Sequence, residues 1–578
     1  MNLEFELSSI AHLKRKIEEL LSHEQIGKAL DAIRDFVEAV IFDPRSVARV
    51  FSNEDVDLIC RQIGKFVAGK AVRKYDQDRV SSGTVILATE LVKAGGHVEL
   101  IKDIIKHKLF DGPITVVLTD FFARCDRDLI VGFAEVLGVQ VRVAQGQNST
   151  DRFMCVHHWL CEKNPQTLVL VTHNQDSLGI TLAHTGVAQH VVFIHHGDHH
   201  WSLGVTCEDF THVDVTNLGY FHCKNELGLR NRYWPLTVNV SNIVPREAPF
   251  QAKGHLVTCS SGRPEKFDAS NYLHDYTEYL PRILASTQGR HIHIGDLSAE
   301  VKARLMDGLS AASISPDSFV HIDWVPSLAM ALLEHQVDLY ISSFPLGGGK
   351  ASIEAMAAGI PLLMHSNYRS RYHGGADLAY KGAMIWRSEA ELMAIVGGIT
   401  SDELAHHSAL ARRHYERYHA DQALIEAADF SMPQSESDIP NILPYMEDSL
   451  QIFIDDTVHI QEMHSQSLEE AVQMKHALAT ARREIERVNS EWRTAVDEMQ
   501  RIEREQKLTL GEVQRLELAE QVLRAELVAT TVDRENLRLE KERLQSYLLR
   551  RLNSYRGLLG GIVVLTCRHL KNMTGRKK

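Results

Sequence analysis

The chain has 578 residues, of which 44% are hydrophobic and 24% charged. That is apolar mass for several cores, and it excludes a wholly disordered, collagenous or polytopic membrane protein. The net charge of -13 argues against a general nucleic-acid binder, which would carry a basic footprint against phosphate. Eight cysteines without a CxxC pair read as reduced thiols rather than a disulfide framework. The start, MNLEFELSSI, has neither the basic nor the apolar segment of a signal peptide. The longest apolar run, 558–567, is far shorter than the about 20 residues of a spanning helix. A cytoplasmic protein is expected.

Residues 1–78 read as a helical extension. Ile10, Leu13, Ile17, Leu20 and Leu21 recur at three and four, and similar stripes follow at 26–40 and 55–67. They carry no chemistry and suit packing or docking. From 79 the pattern changes to short β-branched runs, 85–87, 114–118, 139–143, 168–171 and 191–194, separated by helix-length segments. A second series follows at 256–259, 291–294, 319–322, 339–341 and 361–364. Such alternation predicts α/β architecture: two doubly wound parallel-sheet domains, over 79–250 and 251–430. Ligands of such sheets sit beyond the carboxyl ends of the strands, so the cleft between the domains is the expected site. His291 and His293 alternate with isoleucines and read as core-flanking rather than as ligands.

Residues 431–466, with Pro433, Pro440 and Pro444 among serines and acids, read as a linker. Beyond it, 467–550 has no proline, and a 3-4 spacing runs through Leu478, Ala481, Ile485, Val488, Trp492, Ala495, Met499 and Ile502. The heptad slips near Gly511 and resumes at Leu516, Leu523, Leu537 and Leu544. With charges of both signs interspersed, this predicts a coiled coil and a homo-oligomer. The tail, 551–578, holds seven Lys or Arg and no acid around a short apolar core. It would either lie peripherally on an anionic inner-membrane surface, aided by multivalency, or serve as a soluble basic tail.

The sharpest chemical signal is Ser342-Ser-Phe-Pro-Leu-Gly347-Gly348-Gly349-Lys350-Ala351-Ser352-Ile-Glu354, a glycine-rich turn between a strand and a helix. Glycines let backbone N–H groups approach a ligand, and the positive end of the helix suits a phosphate or diphosphate. Lys350 in the first helical turn opposes the helix dipole, which makes sense beside a bound anion. The turn is neither a Walker loop nor a GxGxxG fingerprint. A second constellation, Ile194-His-His196-Gly-Asp198-His199-His200-Trp-Ser202, opens at the end of the strand 191–194. Adjacent side chains point different ways and, although His222-Cys223 lies nearby, no metal ligands are assigned. His196 is instead the candidate general base, with Asp198 and His199 beside it.

These residues also carry a resemblance. The run Glu354-Ala-Met-Ala-Ala-Gly359-Ile-Pro361 resembles the donor motif of GT-B glycosyltransferases of the retaining E-x7-E family, although Leu346 stands where the first glutamate would fall. Phe344-Pro345-Leu346-Gly347 is similar to the cytoplasmic bacterial N-glycosyltransferases that modify adhesins, relatives of O-GlcNAc transferase. The resemblance, over about residues 85–400, implies that the turn cradles a UDP diphosphate, with Arg263 and Lys266 of Ser260-Ser-Gly-Arg-Pro-Glu-Lys as clasping cations and Gly295 on the same donor side. It implies an acceptor-side glycine turn at Gly95 and Gly96, which reads equally well as a helix-breaking turn. The interval from His196 to Ser202 matches the family's H-P-x4-S, with Gly197 in place of proline. The implied activity is metal-independent, cofactor-free transfer of a hexose or N-acetylhexosamine from a nucleotide-sugar to a protein or glycan acceptor. A non-catalytic nucleotide-sugar-binding scaffold and a nonhydrolysing sugar-nucleotide epimerase share the same architecture.

Overall fold

The structure is a computed structural model. It describes residues 10–43, 46, 49–70, 82–92, 96–238, 240, 243–269, 272–443, 450–527 and 540–551. Gly95 and nearly all of the basic tail lie outside these residues. The chain divides into two compact units, Met1–Met463 and His464–Lys578.

The first unit holds two parallel sheets. In the first, β1 (Thr84–Ala88), β2 (Ile114–Leu118), β3 (Gln140–Val143), β4 (Thr167–Val171), β5 (His190–His195), β6 (Thr211–Asp214) and β7 (Asn231–Tyr233) run in the order β3-β2-β1-β4-β5-β6-β7. In the second, β8 (Val257–Ser261), β9 (Arg290–Ile294), β10 (Phe319–Ile322), β11 (Leu339–Ile341), β12 (Leu362–His365) and β13 (Met384–Trp386) run β10-β9-β8-β11-β12-β13. Both orders are doubly wound, as expected. Each sheet extends further than the sequence predicts: β6 and β7 (THVD and NRY) lack the apolar run that identifies the others, and β13 is the three residues MIW.

Alternate residues of a strand face opposite sides. Val85 and Leu87 of β1 therefore pack with Leu30, Ile33, Ile59 and Ile63 from the amino-terminal helices Ile10–Ser22, Ile26–Ile41 and Glu54–Lys70. Ile86 and Ala88 face Ile101 and Ile104 of the helix Gly96–Lys106. The amino-terminal helices thus roof one face of the first sheet rather than standing apart. Asp57 pins this roof: its carboxylate accepts from Gly204 N at 2.7 Å and from Thr206 Oγ1 at 2.6 Å.

The chain also crosses back. Leu424 and Ala428 of the helix Asp421–Ala428 enter the core of the first sheet. The stretch expected as a linker is tied there: Gln434 exchanges hydrogen bonds with the Tyr233 backbone at 2.7 and 2.8 Å, and Asn217 Nδ2 donates to Pro440 O at 3.1 Å. Composition suggested freedom, whereas these long-range partners hold the segment. Asp456, early in the helix Leu450–Leu527, accepts from Tyr368 Oη and Arg369 Nη2 at 2.6 Å each, so helix begins well before 467.

In the second unit, Leu478, Ile485, Trp492 and Met499 are all exposed. Lys541 pairs with Glu517 at 3.3 Å and Arg551 with Glu505 at 2.9 Å. Residues 540–551 therefore run antiparallel to 505–517, and Leu544 does not continue the stripe of Leu516. Among the described residues, no helix is long and apolar enough to cross a membrane.

One buried ion pair fixes the entry to the second sheet. Asp338, just before β11, accepts from Arg246 Nη2 at 2.9 Å, Gln251 N at 2.8 Å and Val257 N at 2.8 Å. Removing one partner of a buried pair strands the other charge, so Asp338→Ala should cost about 3–5 kcal/mol. Thermal unfolding of the full chain checks this; an unchanged Tm would contradict it.

Candidate active site

A doubly wound sheet opens a crevice where its connections reverse direction, between β1 and β4 in the first sheet and between β8 and β11 in the second. The glycine-rich turn follows β11, and the loop carrying Arg263 and Lys266 follows β8. Both donor-side segments read from the sequence therefore flank the second crevice.

The turn is built by close approach. Gly347 N donates to His373 O at 2.7 Å, and a Cβ on Gly347 would stand 2.0 Å from Gly374 O. The helix Gly349–Ala357 then starts at Gly348, which supplies no side-chain cap. Its first-turn N–H groups have no intrahelical partner and point their partial positive charge outward. Lys266 reaches this turn from below: its Nζ donates to Gly347 O at 3.1 Å and lies 3.3 Å from where a Gly348 Cβ would be. Burial, with Arg263 nearby, pulls the Lys266 ammonium down to about 8. Gly295, at φ 128°, closes on the same loop; a Cβ there would meet Gly262 O at 2.1 Å.

The other donor-side residues sit differently. Arg263 is exposed, 4.0 Å from Glu265. Lys350 Nζ turns toward Asp103 of the first domain at 3.6 Å, and Asp103 also accepts from Thr237 Oγ1 at 2.9 Å. Lys350 thus reaches across to the first domain, whereas Lys266 bonds the turn itself. Ser352 is buried with its hydroxyl 4.0 Å from Met364 Sδ, leaving its backbone as the part near the turn. Ala351 packs partly into the second-domain core. Glu354 accepts from Ala329 N at 3.1 Å, and burial raises its pKa.

Histidines gather at the crevice of the first sheet. His196 Nε2 donates to Thr172 O at 2.9 Å, which leaves the Nδ1 lone pair free. Its ring stacks on His97 at 5.9 Å, and His97 meets His173 edge-on at 4.9 Å. Burial, reinforced by neighbouring imidazoles, lowers His196 to about 3 and His97 and His173 to about 4. All three are neutral at ordinary pH. Beside them Glu90 receives both arms of Arg124 at 2.7 Å. Asp176 holds the loops together, accepting from Thr89 Oγ1 at 2.6 Å and Thr119 Oγ1 at 2.7 Å.

Burial alone would raise Asp198, but His199 and the Thr216 hydroxyl, which donates to it, outweigh that and lower its pKa. His199 is half-exposed; burial first, then the neighbouring His199, lowers His200 and His373 to about 4. His373 is also the residue whose carbonyl holds Gly347, so the histidine loop and the glycine turn border one cleft. Ser202 is instead buried, its N–H donating to Phe51 O at 3.0 Å, and Gly96 simply starts its helix in open space. Two surface hollows, one bordered by Arg34 and Arg152 and the other by Arg142 and Trp159, contain none of these residues. Sequence reading missed Glu90, His97, Arg124, His173 and His373. Glu90 and His173 directly follow β1 and β4, but nothing in the sequence says that those two strands are neighbours.

No family model matches the sequence, and no curated protein matches it. Among solved structures the chain is similar to an O-GlcNAc transferase mutant from Thermobaculum terrenum, at 14% identity and TM-score 0.42, covering 74% of this chain and 81% of that one. It is similar to Anabaena HepE in complex with UDP and glucose, at 16% identity and TM-score 0.45, covering 59% and 97%. It is also similar to the UDP-GlcNAc 2-epimerase from Methanocaldococcus jannaschii, at 12% identity and TM-score 0.38, covering 57% and 98%. These are likenesses of fold.

The geometry ranks the two lysines. Lys266→Ala should weaken binding of a nucleoside diphosphate by about 1.5–3 kcal/mol, the range for a hydrogen bond to a charged group, and Lys350→Ala by less. Because burial depresses Lys266, its charge is present below about 8 and is lost above it. Wild-type affinity should therefore fall as pH rises from 7 to 9.5. Calorimetry with UDP checks both; the reverse ranking, or a flat pH profile, would contradict them.

Proposed function

We propose that the chain is a glycosyltransferase that takes a UDP-linked hexose or N-acetylhexosamine and delivers the sugar to a protein or glycan acceptor. One observation carries the reading. A half-buried lysine and an uncapped helix N-terminus, at the reversal of one parallel sheet, face a cleft bordered by neutral histidines at the reversal of the other.

Glycosyl transfer needs negative charge stabilised on the departing diphosphate. Lys266 and the N–H groups at 348–350 supply that positive potential from the protein itself, which supports a metal-independent, cofactor-free reaction. Lys266 is held at the turn by its bond to Gly347 O, so the charge that develops meets groups already in place. On the acceptor side, His196 offers its Nδ1 lone pair. The negative diphosphate raises the proton affinity of a nearby imidazole, which turns a very weak base into a usable one. Asp198, ionised and held by Thr216, fixes the loop that carries it.

A panel of nucleotide-sugars, followed by release of nucleoside diphosphate, tests the activity. Release that depends on an acceptor supports transfer. Sugar interconversion without acceptor would indicate an epimerase, and binding without turnover a scaffold. His196→Ala should lower turnover by about 100-fold or more, while donor affinity changes far less, because a base acts in the transition state. Wild-type turnover in that variant would remove the role.

The proposal includes a homo-oligomer. Leu478, Ile485, Trp492 and Met499 form an exposed apolar stripe on one long helix, which a second copy would cover. The full chain should sediment as a multimer and a chain ending at 463 as a monomer; a monomeric full chain would contradict this.

A further inference from the structure

Behind the histidine loop, buried in the first domain, lies a cluster that the proposed reaction does not use. In β6, His212 and Asp214 stand two residues apart and so share a face. His195, the last residue of β5, is the register partner of Asp214. The helix Asn217–Asn225 brings Cys223 over the same spot. All four side chains are buried, and one ligand atom from each lies within 4.8 Å of all the others.

The geometry points to a structural metal site, formed by His195, His212, Asp214 and Cys223 and suited to zinc. Tetrahedral zinc with bonds of about 2.0–2.3 Å places its ligand atoms about 3.3–3.8 Å apart. Here His195 Nδ1 to Asp214 Oδ1 is 2.8 Å, His212 Nε2 to Asp214 Oδ1 is 3.1 Å and Cys223 Sγ to His195 Nδ1 is 3.6 Å. Small side-chain shifts admit the ion. Two imidazoles, a thiolate and one carboxylate are a donor set for zinc rather than for magnesium or calcium. One thiolate and one carboxylate balance a dication, so the filled site adds no net charge to the core. Without the ion, burial and then Asp214 push the Cys223 thiol well above its ordinary pKa. Metal binding reverses that and releases the thiol proton to solvent. Asn231 Nδ2 already donates to the other oxygen of Asp214 at 2.6 Å, as an orienting partner of a ligating carboxylate does. His195 Nε2 has no hydrogen-bond partner among the described residues, so the polar contacts of that ring, to Asp214 Oδ1 and Cys223 Sγ, are both made through Nδ1.

The site would brace the catalytic loop. His195 directly precedes His196, and Asp214 lies two residues before Thr216, which donates to Asp198. A metal joining the ends of β5 and β6 would therefore fix both candidate catalytic residues without touching substrate. It would be closed by four protein ligands, which separates it from a catalytic metal.

The test uses the purified full-length chain. Elemental analysis should find one zinc per chain, and chelation should lower Tm, with zinc restoring it. Replacement by cobalt(II) should give the visible bands of tetrahedral cobalt and a thiolate-to-cobalt charge-transfer band in the near ultraviolet. Cys223→Ser should lose the charge-transfer band and weaken cobalt binding at least 10-fold. Cys207→Ala, which removes a cysteine outside the cluster, should keep both. The wild-type spectrum and the reversible Tm shift decide the matter if Cys223→Ser does not fold. A chain without zinc that neither binds cobalt nor gains Tm from zinc would overturn the site. So would cobalt bound without a charge-transfer band, or a band that Cys207→Ala abolishes. The four residues would then be a hydrogen-bonded cluster of the core.

Discussion

A parallel sheet whose crossovers run one way from its first strand and then the other way must leave a gap at the reversal. Helices pack over both faces, yet none can close the carboxyl edge where the two directions part. This chain does so twice, with the same relative strand order in each sheet. The segments that carry its chemistry follow from that. The loops after β8 and β11 must flank one reversal and those after β1 and β4 the other. Loops at such edges are free of the sheet's own hydrogen bonding, so they can offer backbone N–H groups and charged side chains to a ligand.

The charges in the cleft are arranged with economy of exposure. A lysine taken out of water loses hydration and its pKa falls, as that of Lys266 does. An anion over the glycine turn would restore the lost interaction, since Lys266 Nζ has a neutral carbonyl, Gly347 O, as its hydrogen-bond acceptor there. The histidines opposite have the complementary property. Crowded and half-buried, His97, His173 and His196 stay neutral, which keeps positive charge from accumulating at the reversal of the first sheet. Lys350 belongs to neither group: paired with Asp103, it ties the helix of the turn to the first domain.

The doubly wound class was legible because the inner strands are buried on both faces and so read as unbroken apolar runs. β6 and β7 lack such runs. The glycine turn was legible because glycine, proline and a helical pattern occur together at 344–359. The companion residues were not. Glu90 and His173 meet only because β1 pairs with β4, across 83 positions of sequence from Thr84 to Thr167. The same holds for His195, Asp214 and Cys223, whose proximity depends on the β5–β6 register. The helix dipole, a local rule, points to an anion beside Lys350; the Asp103 carboxylate near its ammonium comes from the other domain and is not legible in the sequence. The prolines and serines of 431–440 gave a linker by composition, although Gln434 and Asn217 hold that stretch in place.

The central claim is that a diphosphate binds at the turn that starts the helix Gly349–Ala357, over Lys266. Amide hydrogen exchange of the full chain, with and without saturating UDP, tests it most directly. Slowed exchange is expected at Gly348, Gly349, Lys350 and the 262–267 loop, with lesser changes at 196–200. Binding of UDP with no protection at 348–350, or with protection confined to the first sheet, would contradict it.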